Sequence, residues 1–318
     1  MEPARAYRVR ERPLQPDDYD EPIGWWGWNW EPPVPMSVSQ LLAAGNFDAR
    51  TAALCWMVLG SHGSMLIASE PPHSGKTTTL TAFLDFLPSD VRRVYVRGWA
   101  ETFDYVKQHD PERTLLLANE LSSHLPVYLW GPKAVRVFRT LRKGFALGST
   151  LHADTAEEAV AQLTGELGLE AEDLALIDLL LVMRVYLVAG THGALARRVV
   201  SAHRLVPRAE GVSLVPLVTW DPARDAHEHD EAAQLELLCR RSGPTATVEG
   251  LRAELARREA LLAALPRAGV TGIAEVRQAL LSYRLARPAG GSEADAGGRA
   301  TPDERSEYGA SPRGDPTQ

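Results

Sequence analysis

The residues best equipped for chemistry lie in three short segments, each set at the end of an apolar run. The first is Ser74-Gly75-Lys76-Thr77-Thr78-Thr79, between the apolar run 64–69 and a helical pattern carrying Leu80, Phe83, Leu84 and Leu87. Backbone N–H groups gathered at a helix N-terminus face an anion, and the helix dipole favours negative charge there. In that position Lys76 reaches β- and γ-phosphates, and the Thr77 hydroxyl holds Mg2+. The spacing G-x-x-x-x-G-K-S/T places its first glycine at Glu70, so a carboxylate stands where such a loop needs backbone freedom. The second segment, Thr114-Leu115-Leu116-Leu117-Ala118-Asn119-Glu120, is an apolar strand ending in a carboxylate. Glu120 there polarises an attacking water, as general base or by orientation. The third, Gly148-Ser149-Thr150-Leu151-His152-Ala153-Asp154, puts His152 at a strand end, where it can contact a γ-phosphate directly or through water. Taken singly, a strand-end Glu or His is more often structural. Taken together, Lys76, Glu120 and His152 occupy successive strand ends, and ligands of open parallel sheets gather outside those carboxyl ends.

Placing the three residues on one edge requires alternating strands and helices, and the chain provides them. Helical spacing covers 37–44, 49–60 (with Asp48 as N-cap), 74–87 and 154–167. Strand patterns cover 64–69, 93–97, 114–119, 146–151, 179–188 and 197–206. The expected class is α/β, with a mostly parallel sheet covered on both faces. Residues 225–230 read as a polar loop, and three helices at 231–239, 247–265 and 273–285 read as a small C-terminal helical region, a packing appendage. The segment 1–36 is a Pro/Trp-rich arm. Its run Gly24-Trp25-Trp26-Gly27-Trp28-Asn29-Trp30 either packs back on the domain or docks a partner, since Trp is enriched in binding hot spots. Residues 288–318 hold hardly any bulky apolar residue to offset ordering entropy, so disorder is expected there. The expected domains are therefore 1–36, 37–221, 222–287 and 288–318.

Composition narrows the function classes. With 318 residues, 45% hydrophobic and 24% charged, the chain can bury a proper core. A net charge of −7 argues against electrostatic capture of nucleic acid or an anionic membrane, so Arg92-Arg93 and the cluster 139–143 read as solvated faces. Cys55 and Cys239 sit in apolar helical patterns and read as small buried hydrophobes, consistent with a reducing cytoplasm. The first residues alternate in charge without the apolar run of a signal peptide. The most apolar stretch, 174–190, is broken by Asp178 and Arg184 and falls short of a membrane span. The expected localisation is cytoplasmic, with any attachment to a membrane supplied by a partner.

With these segments in place, the chain resembles the type II/type IV secretion and pilus ATPases, and within them the Tad-pilus and archaeal-flagellum motors. Pro71, Ser74, Gly75, Lys76 and Thr77, with Thr78 following, match the Walker A loop of that family, G-P-T-G-S-G-K-S/T. Asn119-Glu120 stands where the family has the G-E pair of its Walker B strand, and Ser149-Thr150-Leu151-His152-Ala153 matches its histidine box. Arg197-Arg198-Val199-Val200 is similar to a later strand, and Glu254-Leu255-Ala256-Arg257-Arg258 to the C-terminal region; coverage is about 37–287. The resemblance implies a RecA-like P-loop NTPase, a hexameric ring with ATP and Mg2+ between subunits, and an inner-membrane platform protein as partner. Departures accompany it. The acidic E-D-P-x-E box aligns with Arg97-Gly98-Trp99-Ala100-Glu101, which leaves Glu101 alone as a metal-handling carboxylate. Two loop glycines are Glu70 and His73, and the stretch before residue 37 is too short for the family's usual N-terminal domain.

Two functions of different class follow. One is an ATP-hydrolysing motor of secretion or pilus assembly, in which Glu120 and His152 act on the γ-phosphate, with an arginine of a neighbouring subunit drawn from candidates such as Arg92, Arg93 and Arg97. The other is a pseudo-ATPase that acts as scaffold or regulator of such a system. A phosphotransferase with a lid around Arg139, Arg142 and Lys143 is a third, against which the histidine box argues.

Overall fold

The computed structural model describes residues 35–70, 73–187 and 195–286. The Trp-rich run, Pro71 and the 288–318 tail lie outside these residues. The chain folds as one eight-stranded sheet in the order β2-β3-β4-β1-β5-β6-β7-β8. Its strands are β1 (Met65–Ala68), β2 (Arg92–Tyr95), β3 (Thr114–Leu117), β4 (Ala146–Leu151), β5 (Leu179–Leu187), β6 (Leu195–Arg208), β7 (Gly211–Asp221) and β8 (Ala226–His229). The strands β2, β3, β4, β1 and β5 run parallel, and β6, β7 and β8 add antiparallel. This is the expected α/β class.

Both faces of the parallel part are buried, as the near-continuous apolar runs require. Met65, Ile67, Leu115 and Leu117 turn to one core, and Leu66, Ala68, Leu116 and Leu147 to the other. On the first face lie α1 (Val38–Ala43), α2 (Ala49–Gly60), α3 (Lys76–Phe83), α8 (Glu231–Arg241), α9 (Val248–Arg267) and α10 (Ile273–Leu285). On the second lie α4 (Tyr105–Gln108), α5 (Gly131–Leu141), α6 (Ala156–Ala161) and α7 (Ala171–Leu174).

The helix starts follow from their caps. Ser37 and Gln40 form a reciprocal capping box on α1, and the Ser37 hydroxyl donates to the Thr271 carbonyl at 2.6 Å, tying α1 to the segment before α10. Asp48 caps α2 by accepting from the Thr51 N–H at 2.8 Å. Its other oxygen lies 2.7 Å from His229 Nε2 on β8. Burial alone raises the Asp48 pKa, but His229 and the Thr51 bonds outweigh burial and bring it to about 2.

The C-terminal helices share the main core. Leu251, Leu255, Leu262 and Leu265 of α9 join the cluster that holds Trp56 of α2. Trp56 stacks on Phe86 at 5.4 Å and meets Tyr283 of α10 at 5.2 Å, while the Arg258 guanidinium sits 4.7 Å above its ring.

The strand β7 and the short helices α4 and α7 were not expected from sequence, and three further local differences have physical causes. Residues 225–230, expected as a polar loop, contain β8, because its histidines are half-buried partners: His227 Nε2 meets the Val199 carbonyl at 2.9 Å, and His229 meets Asp48. Polarity at an edge strand hid the alternation. The helix α5 was not foreseen; Ala134, Val137, Phe138 and Leu141 form its buried stripe at helical spacing, and the basic cluster at its end masked it. Cys55 is buried as expected, but Cys239 is exposed, since α8 turns Leu235, Leu237 and Leu238 inward instead. No helix among the described residues is long and apolar enough to cross a membrane.

Candidate functional site

The central strand β1 delivers the loop that precedes α3. Ser69 leaves the sheet with its N–H on the Leu151 carbonyl at 3.2 Å. Gly75 takes φ +92°, a left-handed conformation that favours glycine, and its carbonyl accepts the Thr79 N–H at 2.8 Å to open the helix. A β-carbon at Gly75 would also stand 3.0 Å from Arg197 Cδ. Two substitutions in the loop, noted from the sequence, resolve differently. His73 adopts φ +59°, holding the turn without a glycine, whereas Glu70 needs no positive φ and is exposed. Arg197 of β6 braces the loop through Nε on the His73 carbonyl at 3.0 Å.

The neighbouring strand ends are fastened to one another through main chain. Leu121 N–H donates to the Thr150 carbonyl at 2.7 Å, Leu129 N–H to the Glu120 carbonyl at 2.8 Å, and the Thr150 hydroxyl to the Asn119 carbonyl at 2.9 Å. These bonds fix where β3 releases Glu120 and where β4 releases His152. His152 is then clamped on two sides. Its Nδ1 lies 2.9 Å from the Glu70 carbonyl, and its own carbonyl accepts from Gln162 Nε2 at 2.8 Å.

Lys76, Glu120 and His152 converge on one cleft of about 530 Å³, lined also by Ser74, Gly75, Thr77, Thr78, Asn119, Tyr128 and Arg197. Met36, Leu41, Ala44 and Asn46 complete the lining together with His73. Lys76 is buried, and its Nζ donates to the Ser69 carbonyl at 2.7 Å. Burial pulls its pKa down, and the carboxylates of Glu120 and Glu70 oppose that shift. His152 Nε2 lies 3.0 Å from Glu120 Oε1, and this contact holds the imidazole pKa above its ordinary value against burial and Lys76. Burial, with Glu120 nearby, pushes the Tyr128 hydroxyl up to about 12, so it stays a neutral donor. Ser74 Oγ, Thr79 Oγ1 and Glu120 Oε1 are buried without an aligned hydrogen-bond partner. Such groups are costly unless something polar completes them.

Glu101 does not line this cleft. Its carboxylate accepts the Arg97 N–H at 3.0 Å and the Phe103 N–H at 2.6 Å, and burial raises its pKa. It shapes its own loop. Of the arginines considered from sequence, Arg93 bonds the Leu84 carbonyl and Asp85, and Arg142 pairs with Asp173 at 2.7 Å. Arg197 and Tyr128 were missed as site residues. The Arg197-Arg198 pair was legible only as a strand, and the topology that brings β6 to the phosphate loop was not; Tyr128 carried no signal.

No protein-family model matches the chain. It is similar to two uncharacterized proteins of Methanocaldococcus jannaschii. With MJ0900 it shares 28% identity over 214 residues, 61% of this chain and 38% of that protein. With MJ1287 it shares 24% over 212 residues, 60% of this chain and 77% of that protein. Three solved structures are similar in fold. The VirB11 ATPase from the Brucella suis type IV secretion system, in complex with sulphate, matches at TM-score 0.34 and 16% identity over 63% of this chain and 56% of its own. The pilus retraction motor PilT with bound ADP matches at 0.37 and 15% over 56% and 55%. The Legionella pneumophila ATPase DotB matches at 0.33 and 14% over 79% and 67%. The chain spans little more than half the length of the first two. At such TM-scores the superpositions carry no functional weight, which falls instead on the residues of the cleft.

Proposed function

We propose that the cleft binds ATP with Mg2+ and hydrolyses it, as the motor-type ATPase of a secretion or pilus assembly system. The observation that carries this reading is the convergence of Lys76, Glu120 and His152 on one cleft around a left-handed Gly75 at the start of α3. The N-terminal amides of α3 and Lys76 take the β- and γ-phosphates. The orphaned Ser74 hydroxyl, which lines the cleft with Thr77 and Thr78, fits a polar guest of that kind. Thr77 holds the Mg2+, which when bound supplies positive charge to the phosphates. Met36 and Leu41 offer an apolar wall for the base. Glu120 orients a water toward the γ-phosphorus and accepts its proton as the bond to the ADP oxygen breaks. His152 hydrogen-bonds a γ-phosphate oxygen. We extend the reading to a homo-oligomeric ring, hexameric by resemblance, working in the cytoplasm on an inner-membrane platform, with no role for nucleic acid.

A second reading, the pseudo-ATPase scaffold, is favoured by one observation: Glu101, the remaining carboxylate of the acidic box, spends its oxygens on its own loop. Thermal melting with and without Mg-ATP tests the binding step shared by most forms of the proposal. At ligand one hundred times its Kd, stabilisation is about 2.7 kcal/mol. A clear rise in Tm that is absent in Lys76→Ala supports the proposed site; an equal response of both proteins would remove Lys76 from it.

A further inference from the structure

Glu120 and His152 have a third neighbour that hydrolysis does not use. His124 sits on the exposed loop that leaves β3, its ring centroid 5.8 Å from that of His152. One ligand atom each from Glu120, His124 and His152 can be chosen so that all three lie within 4.8 Å of one another. We propose that these residues form a three-ligand site for a borderline transition-metal ion of the Zn2+ class, separate from the Mg2+ held at Thr77.

The placement of each donor favours this. Two adjacent ligands at about 2.0–2.1 Å from one ion stand about 2.9–3.4 Å apart. Glu120 Oε1 and His152 Nε2 are 3.0 Å apart, within that span, and Oε1 has no aligned hydrogen bond to give up. The Glu70 carbonyl can only accept, so His152 Nδ1 carries the hydrogen in that 2.9 Å contact. In the neutral ring Nε2 then presents its lone pair toward Glu120, where an ion takes the place of the proton the pair would share, and a carbonyl behind the distal ring nitrogen is the usual support of a metal-bound histidine. His124 closes the set by rotating an exposed side chain, from a main chain anchored by its N–H on Ser122 Oγ at 3.2 Å.

Two imidazoles and one carboxylate select against Mg2+, which demands oxygen ligands, and suit Zn2+ with its fourth position open to the cleft. Lys76 is held on Ser69 and is not a ligand. Occupancy withdraws Glu120 and His152 from a nucleotide, so the bound ion acts as a brake on whatever chemistry the cleft performs. The site stands whether or not the cleft takes ATP.

The test is calorimetric titration of the full chain with Zn2+ in nucleotide-free buffer. The expected result is one ion per chain, with affinity at least tenfold weaker in His124→Ala and in Glu120→Gln. Lys76→Ala, which probes the phosphate site, retains the wild-type affinity or exceeds it, so the two proposals fail separately. Absence of binding, or equal affinity in wild type and His124→Ala, overturns the site. Co2+ gives a second readout: visible absorption bands that appear with wild type and are lost in either ligand variant support it, and unchanged bands contradict it.

Discussion

Two buried glutamates of this chain stand in opposite circumstances. Glu254, in the helical hub around Trp56, accepts from Arg258 Nε at 2.7 Å and from Arg257 Nη2 at 2.8 Å. Glu120, in the cleft, is as deeply placed, but its close partner is His152 and one oxygen lacks an aligned bond. In the hub, both Glu254 oxygens are taken by guanidinium groups of its own helix, beside the Trp56 ring. In the cleft, Glu120 Oε1 and Ser74 Oγ lack an aligned hydrogen bond, and His73 holds a left-handed backbone. The contrast lies in the two carboxylates: Glu254 is saturated by its own helix, whereas Glu120 lines a cleft and retains an acceptor there.

Substitutions that exchange these roles test the contrast. The largest effect is expected in the cleft: Glu120→Gln lowers turnover about 10²–10⁴-fold while Mg-ATP binding persists. Turnover assays beside nucleotide titration check this, and undiminished turnover would detach Glu120 from catalysis. In the hub, Glu254→Gln strands Arg258 and costs about 3–5 kcal/mol of stability, read by urea unfolding. The same measurement on Glu120→Gln should show a smaller loss, because the His152 contact given up is offset by removing a buried carboxylate charge. A comparable loss for both would erase the distinction. Gly75→Ala is smaller, about 1–2 kcal/mol, from a left-handed backbone and a β-carbon near Arg197, with weaker nucleotide binding alongside.

The smallest effect concerns Asp48, which joins α2 to β8. Asp48→Ala removes the cap at a cost of about 1 kcal/mol. Its folded pKa, about 2, lies below the ordinary 3.8, so its contribution is fully present above about pH 4 and is lost as pH falls toward 2. The stability difference between wild type and Asp48→Ala should therefore shrink as pH falls through that window.

Much of this arrangement was legible from sequence because burial imposes periodicity. The helices α2 and α10 and the strand β4 begin and end where their patterns do, and three strand ends marked by Lys76, Glu120 and His152 do share one cleft. Illegible were features set by distant partners. The strand β8 draws its stability from Asp48 and Val199, so its own residues look like a loop. Arg197 enters the cleft because β6 pairs antiparallel with β5, a contact no local pattern encodes. Glu101 aligned with an acidic box, and its carboxylate accepts backbone N–H groups within four residues of it, a local pairing the alignment did not encode. His124 gave no sign, since its meaning depends on two residues from other strand ends.

Whether the proposed site turns over ATP is read from steady-state hydrolysis by the purified chain beside Lys76→Ala. The expected result is Mg2+-dependent phosphate release that falls to background in Lys76→Ala. Folded wild-type protein that releases phosphate no faster than Lys76→Ala would contradict it and leave the scaffold reading in its place.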